Sequence, residues 1–207
     1  MARTRTRLPA MARAFAAFVA LVALSGLAIQ FAVSLEKAGS VAGALWSMLR
    51  FFTIISNALV VLIFAAIALG HAWASRPVRL GGITLTMALV GIVYATLLRN
   101  TEHLTGAAQL ANILLHYVIP PLVALYWLAC APRGRLTLRN PPRWAALPLA
   151  YFAYALVRAA QDGRYPYPFI DVSRLGWPQV LGNAAAIAAA FLLAGYALVW
   201  LDRRLAR

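Results

Sequence analysis

Six mainly apolar runs, Ala10–Val33, Arg50–Gly70, Leu80–Leu98, Ala107–Ala131, Arg143–Ala160 and Gly176–Leu201, fill most of this chain and leave only short connections between them. A run of about 20 residues matches a hydrocarbon core roughly 30 Å thick. In lipid every backbone polar group must be bonded within its own segment or within a closed barrel, so runs of this length predict helices. The alternating pattern of a membrane barrel is absent. The expected fold class is therefore all-α: a polytopic membrane protein whose six transmembrane helices form one bundle, residues 1–207 making a single transmembrane domain. The second run has two possible starts, Arg50 or, through the mildly apolar stretch Ser34–Leu49, as early as Val41, which would make it a helix over residues 41–70.

Charge supplies the orientation. The formal net charge of +14 would suggest a nucleic-acid partner in a soluble chain, but 63% of the residues are hydrophobic and the basic ones are sorted by loop. Arg3, Arg5, Arg7, Arg13, Arg76, Arg79, Arg133, Arg135, Arg139, Arg143, Arg203, Arg204 and Arg207 flank one side of the six runs, thirteen of nineteen. Lys37, Arg50, Arg99, Arg158, Arg164 and Arg174 flank the other, with Glu36, Glu102, Asp162 and Asp171. An excess of Lys and Arg in short loops marks the cytoplasmic face, so both termini are expected in the cytoplasm and no nucleic acid is expected as a partner. The Arg-rich start followed by an apolar run has the look of a signal peptide, but the run is about twice the usual length and lacks a good cleavage site; it reads as a retained helix. A single cysteine, Cys130, leaves neither an internal disulfide nor a cysteine metal site. Eighteen arginines to one lysine suggest a GC-rich bacterial genome and hence a bacterial inner membrane.

Polar side chains inside such spans are costly and tend to face the bundle interior. Thr53, Ser56 and Asn57 share a face of the second run, Asn112 and His116 a face of the fourth, Gln179 and Asn183 a face of the sixth, all at i, i+3 or i+4 spacing. Threonine, serine and asparagine at these places also serve as interhelical glue. His116 is the one histidine deep in a span, and Pro120-Pro121 follows it, predicting a kink. Depth counting at 1.5 Å per residue puts His116 roughly 15 Å below the edge of its helix. Thr53 would lie only about 5 Å deep if its helix starts at Arg50, out of reach, and about 18 Å deep if it starts at Val41. The second start also buries Arg50, which is a functional hint unless the side chain snorkels to the interface as an anchor. The connection Gln161–Pro178, with its prolines, aromatics and two aspartates, reads equally as a stiff lid or an interfacial anchor.

Three segments carry a resemblance: Arg50-Phe-Phe-Thr-Ile-Ile-Ser-Asn57, Leu114-Leu-His-Tyr-Val-Ile-Pro120 and Tyr165-Pro-Tyr-Pro-Phe-Ile-Asp-Val172. In this order, on the second and fourth helices and before the sixth, they resemble the androgen-induced membrane protein family, in particular its bacterial branch. The resemblance implies hydrolase activity. Animal members are membrane-embedded threonine hydrolases of fatty acid esters of hydroxy fatty acids, and their threonine and histidine match Thr53 and His116 by motif. The expected chemistry needs no cofactor or metal: His116 takes the Thr53 proton as the hydroxyl attacks an ester. Ser56, Asn57 or Asn112 would supply oxyanion donors. Asn112 stands in for the absent carboxylate that would orient the ring, and Arg50 is a candidate for holding a substrate carboxylate. A lipid substrate would enter from the bilayer. The rival readings are a binding or transport protein for a lipid or small amphiphile, a haem carrier, and a purely structural membrane protein.

Overall fold

The computed structural model describes residues 9–101 and 103–206; Arg3, Arg5, Arg7, Glu102 and Arg207 of the charge pattern lie outside them. Helices account for about four fifths of the described residues, and no strand occurs among them. In chain order they are α1 (Ala10–Ala38), α2 (Val41–Met48), α3 (Phe52–Ala68), α4 (Pro77–Val93), α5 (Gly106–Ile113), α6 (Ile119–Cys130), α7 (Asn140–Asp162) and α8 (Val172–Arg204). A π turn, Tyr94–Leu98, continues α4, and another, Leu114–Val118, joins α5 to α6. Four continuous helical stretches are long and apolar enough to cross a membrane: α1, Pro77–Leu98, Gly106–Cys130 and α8. The pair α2 and α3 makes a fifth if its two members, bent 99° apart, count as one span. The 23-residue α7 does not reach the same apolarity; it carries Arg143, Arg158 and three prolines.

The second apolar run is thus one helix only from near its Arg50 start, as α3; the longer helix expected from Val41 is broken in two. It turns sharply at Leu49–Phe51, and this elbow is the feature that positions the site. A break of this kind strips carbonyls of their intrahelical partners, which lipid cannot replace. One face of α7 supplies them. Tyr151 donates to Arg50 O at 2.7 Å and Tyr154 to Leu49 O at 3.1 Å. The Arg158 guanidinium reaches Trp46 O, and its carbon lies 3.9 Å from the Trp46 ring centroid. The charged and tyrosine-rich composition that lowers the apolarity of α7 is what the elbow uses.

α1 packs on α2, α3, α5 and α6, while α4 joins α6 to the α7–α8 pair. At one end, Arg13 donates to Ala68 O, Trp144 to Val78 O, and the buried Asp202 accepts from Leu136 N. These contacts gather the first turns of α1 and the last turn of α8 with the 69–76 and 131–139 connections. The elbow and the 163–171 connection lie at the other end. α8 is interrupted at Gly176, whose φ of 73° and ψ of 161° suit glycine alone, one residue before Trp177-Pro178.

Candidate functional site

Thr53 is the second residue of α3, directly after the elbow, and His116 is the middle residue of the π turn between α5 and α6. Thr53 Oγ1 and His116 Nε2 are 3.1 Å apart. The other ring nitrogen, Nδ1, lies 3.1 Å from Asn112 O. A carbonyl can only accept, so this bond places the ring proton on Nδ1 and leaves Nε2 to take the Thr53 hydroxyl proton. The neutral imidazole is held in the tautomer a general base needs. Asn112 does orient the histidine, by its backbone and not by its amide: Nδ2 donates to the Tyr94 hydroxyl at 2.6 Å. Tyr94 stacks on the imidazole with centroids 4.0 Å apart.

The π turn has a local cause. Pro120 and Pro121 have no N–H to offer the carbonyls of His116 and Tyr117. The last donor before them, Ile119 N, bonds to Leu114 O, five residues back. The expected kink is therefore a one-turn widening, a form that recurs at functional sites. Two glycines seat it. A Cβ on Gly26 of α1 would come within 2.9 Å of Leu115 Cδ2, and one on Gly91 of α4 would meet Pro120 at 3.1 Å and His116 O at 3.5 Å.

Depth counted separately along each helix misjudged this contact. Thr53 stands near the start of its helix, where the count placed it out of reach, and still meets His116. With α2 bent across the axis, the residues before Phe52 add no depth to α3, and α5 reaches past the start of α3.

The remaining predicted residues divide. Asn57 is fully buried, and its amide donates to Thr53 O at 2.8 Å and Leu115 O at 3.4 Å, tying the threonine to the π turn. Ser56 is fully buried, and its hydroxyl has no protein partner. Arg50 is 8% exposed and is already engaged: Nη1 and Nη2 bond Asp162 at 3.0 and 2.5 Å, and Nη1 also bonds Arg164 O at 2.7 Å. Its fork is occupied by the end of α7, which is a correction to its candidacy as a carboxylate ligand for substrate. Gln179 and Asn183 do not join the common interior either. Gln179 donates to Asn183, and Asn183 donates to Phe169 O at 2.9 Å, pinning the 168–170 turn to α8.

Two chambers meet at the Thr–His pair. The dry one, about 110 Å³, is walled by α3, α4, α7, α8 and Phe169-Ile170. The wet one, about 560 Å³, is lined by Gln30, Ser34 and Lys37 of α1, by Asn112, and by Asp171 and Arg174. Thr53, His116, Leu98 and Tyr167 line both; Arg50, Ser56 and Asn57 are in the wall of neither. The 165–172 segment folds inward, with Ile170 buried and Tyr165, Tyr167 and Phe169 packed on the core. The segment thereby places Tyr167 in the walls of both chambers. Tyr94, Tyr167 and the α7 tyrosines were not singled out from the sequence. Tyr94 and Tyr167, single in an apolar run and in an aromatic loop, form no polar stripe; Tyr151 and Tyr154 share a face of α7 with Arg158 at i, i+3 and i+7, a signal that could have found them. No cluster of three His, Cys, Asp or Glu side chains able to hold a metal occurs among the described residues. No family model matches the chain, and no curated protein or solved structure matches it significantly.

Proposed function

We propose that this protein is an intramembrane ester hydrolase of the kind its resemblance to the androgen-induced membrane protein family implies, with Thr53 as nucleophile and His116 as base. The observation that carries the reading is the Thr53–His116 contact, in the base-competent tautomer, at the junction of a dry and a wet chamber. A polar pair serving only to join helices has no need of either chamber.

In the proposed cycle the acyl chain of a lipid ester, such as a fatty acid ester of a hydroxy fatty acid, enters from the bilayer and lies in the dry chamber. Ala184 and Ala188 leave room for it on the α8 side. The alcohol portion extends into the wet chamber. Thr53 Oγ1 attacks the carbonyl carbon as its proton passes to His116 Nε2, and the carbonyl π pair moves onto oxygen. Collapse breaks the bond to the alcohol oxygen, which takes the proton from His116 and departs. Water from the wet chamber then attacks the acyl-threonine, again giving its proton to His116. The second collapse releases the carboxylic acid and returns the proton to Thr53. Arg50 has no part in these steps; it fixes the elbow.

The protein is further proposed to cross a bacterial inner membrane six times, α7 included and the α2–α3 pair counting once, with both termini in the cytoplasm. The thirteen-to-six sorting of basic residues supports this. Purified protein should hydrolyse a long-chain ester, and Thr53→Ala, His116→Ala and the double variant should each abolish turnover to the same extent, since residues that act as one unit are not additive. A folded Thr53→Ala protein that keeps most of its activity would sink the hydrolase reading and return the chambers to a lipid-binding or transport role.

A further inference from the structure

We infer that Tyr167 is a catalytic residue, the hydroxyl donor to the oxyanion; this rests on the hydrolase reading. The proposed cycle needs a donor beside the carbonyl oxygen, and none of the side chains singled out from the sequence is free to act. The Asn57 amide is spent on two backbone carbonyls; the Asn112 amide gives one hydrogen to Tyr94 and lines only the wet chamber, off the junction of the two. Ser56 faces neither chamber.

Tyr167 lines both chambers at their junction with Thr53 and His116. Its oxygen sits over the start of α3 and accepts from Phe52 N at 3.0 Å, one residue before the nucleophile. The Thr53 and Tyr151 hydroxyls flank it. Because that oxygen already accepts from an amide at a helix N-terminus, electron density is drawn off it and its O–H is the stronger donor. Tyr151 spends its own proton on Arg50 O. Thr53 spends its proton on His116. With their own protons given to His116 and Arg50 O, the Thr53 and Tyr151 hydroxyls can only accept from Tyr167, so its proton rests on a neighbouring hydroxyl and can turn to an acceptor that forms beside Oγ1. In the tetrahedral intermediate the oxyanion stands two bonds from Thr53 Oγ1, within reach of a donor that flanks Oγ1. Tyr167 donates a hydrogen bond there and keeps its proton, so the proton count of the cycle is unchanged.

The donor is also held in place beforehand. Pro166 and Pro168 restrict the backbone on both sides, the ring stacks on Phe169 with centroids 5.2 Å apart, and Asn183 ties Phe169 O to α8. Rigid presentation of this kind is what makes an oxyanion donor effective in a low dielectric.

The test uses the full-length protein in detergent or nanodiscs with a long-chain ester. Tyr167→Phe should lower kcat by on the order of 100-fold, the effect of removing one oxyanion donor, with KM nearly unchanged. A long-chain alkylphosphonate monoester, as a reversible tetrahedral mimic, should lose affinity in parallel, while the product fatty acid should bind as before. Since the Phe variant also frees Phe52 N–H, 3-fluorotyrosine at position 167 supplies the second arm. It keeps ring and hydroxyl, but the phenol ionises more readily, and a tyrosinate cannot donate. The alkaline limb of the kcat profile should therefore move to lower pH, which a packing role would not cause. Retention of more than a third of kcat by Tyr167→Phe, or an alkaline limb that stays in place with 3-fluorotyrosine, overturns the assignment. If Thr53→Ala is inactive while Tyr167→Phe is not, only the Tyr167 role fails; if Thr53→Ala is active, the hydrolase reading fails with it.

Discussion

At Arg50 an arginine within an apolar run finds its counter-charge 112 positions away, in Asp162 at the end of α7. No local pattern announces that partner, so the side chain reads from sequence as a substrate ligand or an anchor. The structure gives it a third role, a clamp between the elbow and the α7 terminus. This has a kinetic consequence. A residue that holds a substrate carboxylate affects only esters that carry one, whereas a residue that holds the elbow affects every ester through Thr53. Arg50→Gln should lower kcat/KM for a carboxylate-bearing ester and for a neutral ester of equal length alike, by on the order of tenfold if about 1.4 kcal/mol of positioning is lost. A selective loss on the carboxylate-bearing ester would restore the ligand role. The polar faces that carry Thr53 and His116 were legible, because polar side chains in apolar runs are costly; their roles as nucleophile and base came from the resemblance and not from that pattern. Tyr94 and Tyr167 were not legible, because a tyrosine is ordinary at a membrane interface.

Elements show where the sequence speaks and where it is silent. The π turn is announced by Pro120-Pro121, since two missing donors must disturb the ladder near His116; that the disturbance would be a widening and not a bend is decided by α1 and α4, which offer Gly26 and Gly91 as seats. Gly26→Val should therefore act at a distance. A side chain there meets Leu115 and Leu114, overpacking costs about 1–3 kcal/mol, and relief by shifting the π turn moves His116 from Thr53. Its kcat per folded molecule should fall by about tenfold or more, roughly the effect of 1.4 kcal/mol in the barrier. Gly82→Val, crowding Trp144 well away from the pair, should cost stability and spare kcat. Equal kcat in the two variants, measured on folded fractions, would deny the π turn its positioning role. The elbow, in contrast, left no trace in hydropathy. Leu49, Arg50 and Phe51 include neither glycine nor proline, and the run Val41–Gly70 stays mostly apolar across the break. Its causes are tertiary, in the α7 donors Tyr151, Tyr154 and Arg158.

For the whole molecule, apolar run length made the all-helical architecture with several membrane-length helices readable. The chambers were not readable, because they arise where the elbow, the π turns and the inward-folded 165–172 segment leave space between elements. Charge sorting extends to orientation. In a Cys130-free background, a cysteine at Thr137 should be shielded in intact cells from a membrane-impermeant thiol reagent and one at Gly163 should react; the opposite pattern would invert the protein. All of this converges on one atom, Thr53 Oγ1. The most direct measurement is treatment of the purified protein with a long-chain fluorophosphonate, followed by peptide mapping of the adduct. The account predicts a single covalent adduct on Thr53, lost in Thr53→Ala and strongly slowed in His116→Ala. An adduct on any other residue, or equal labelling of the His116→Ala protein, would contradict it.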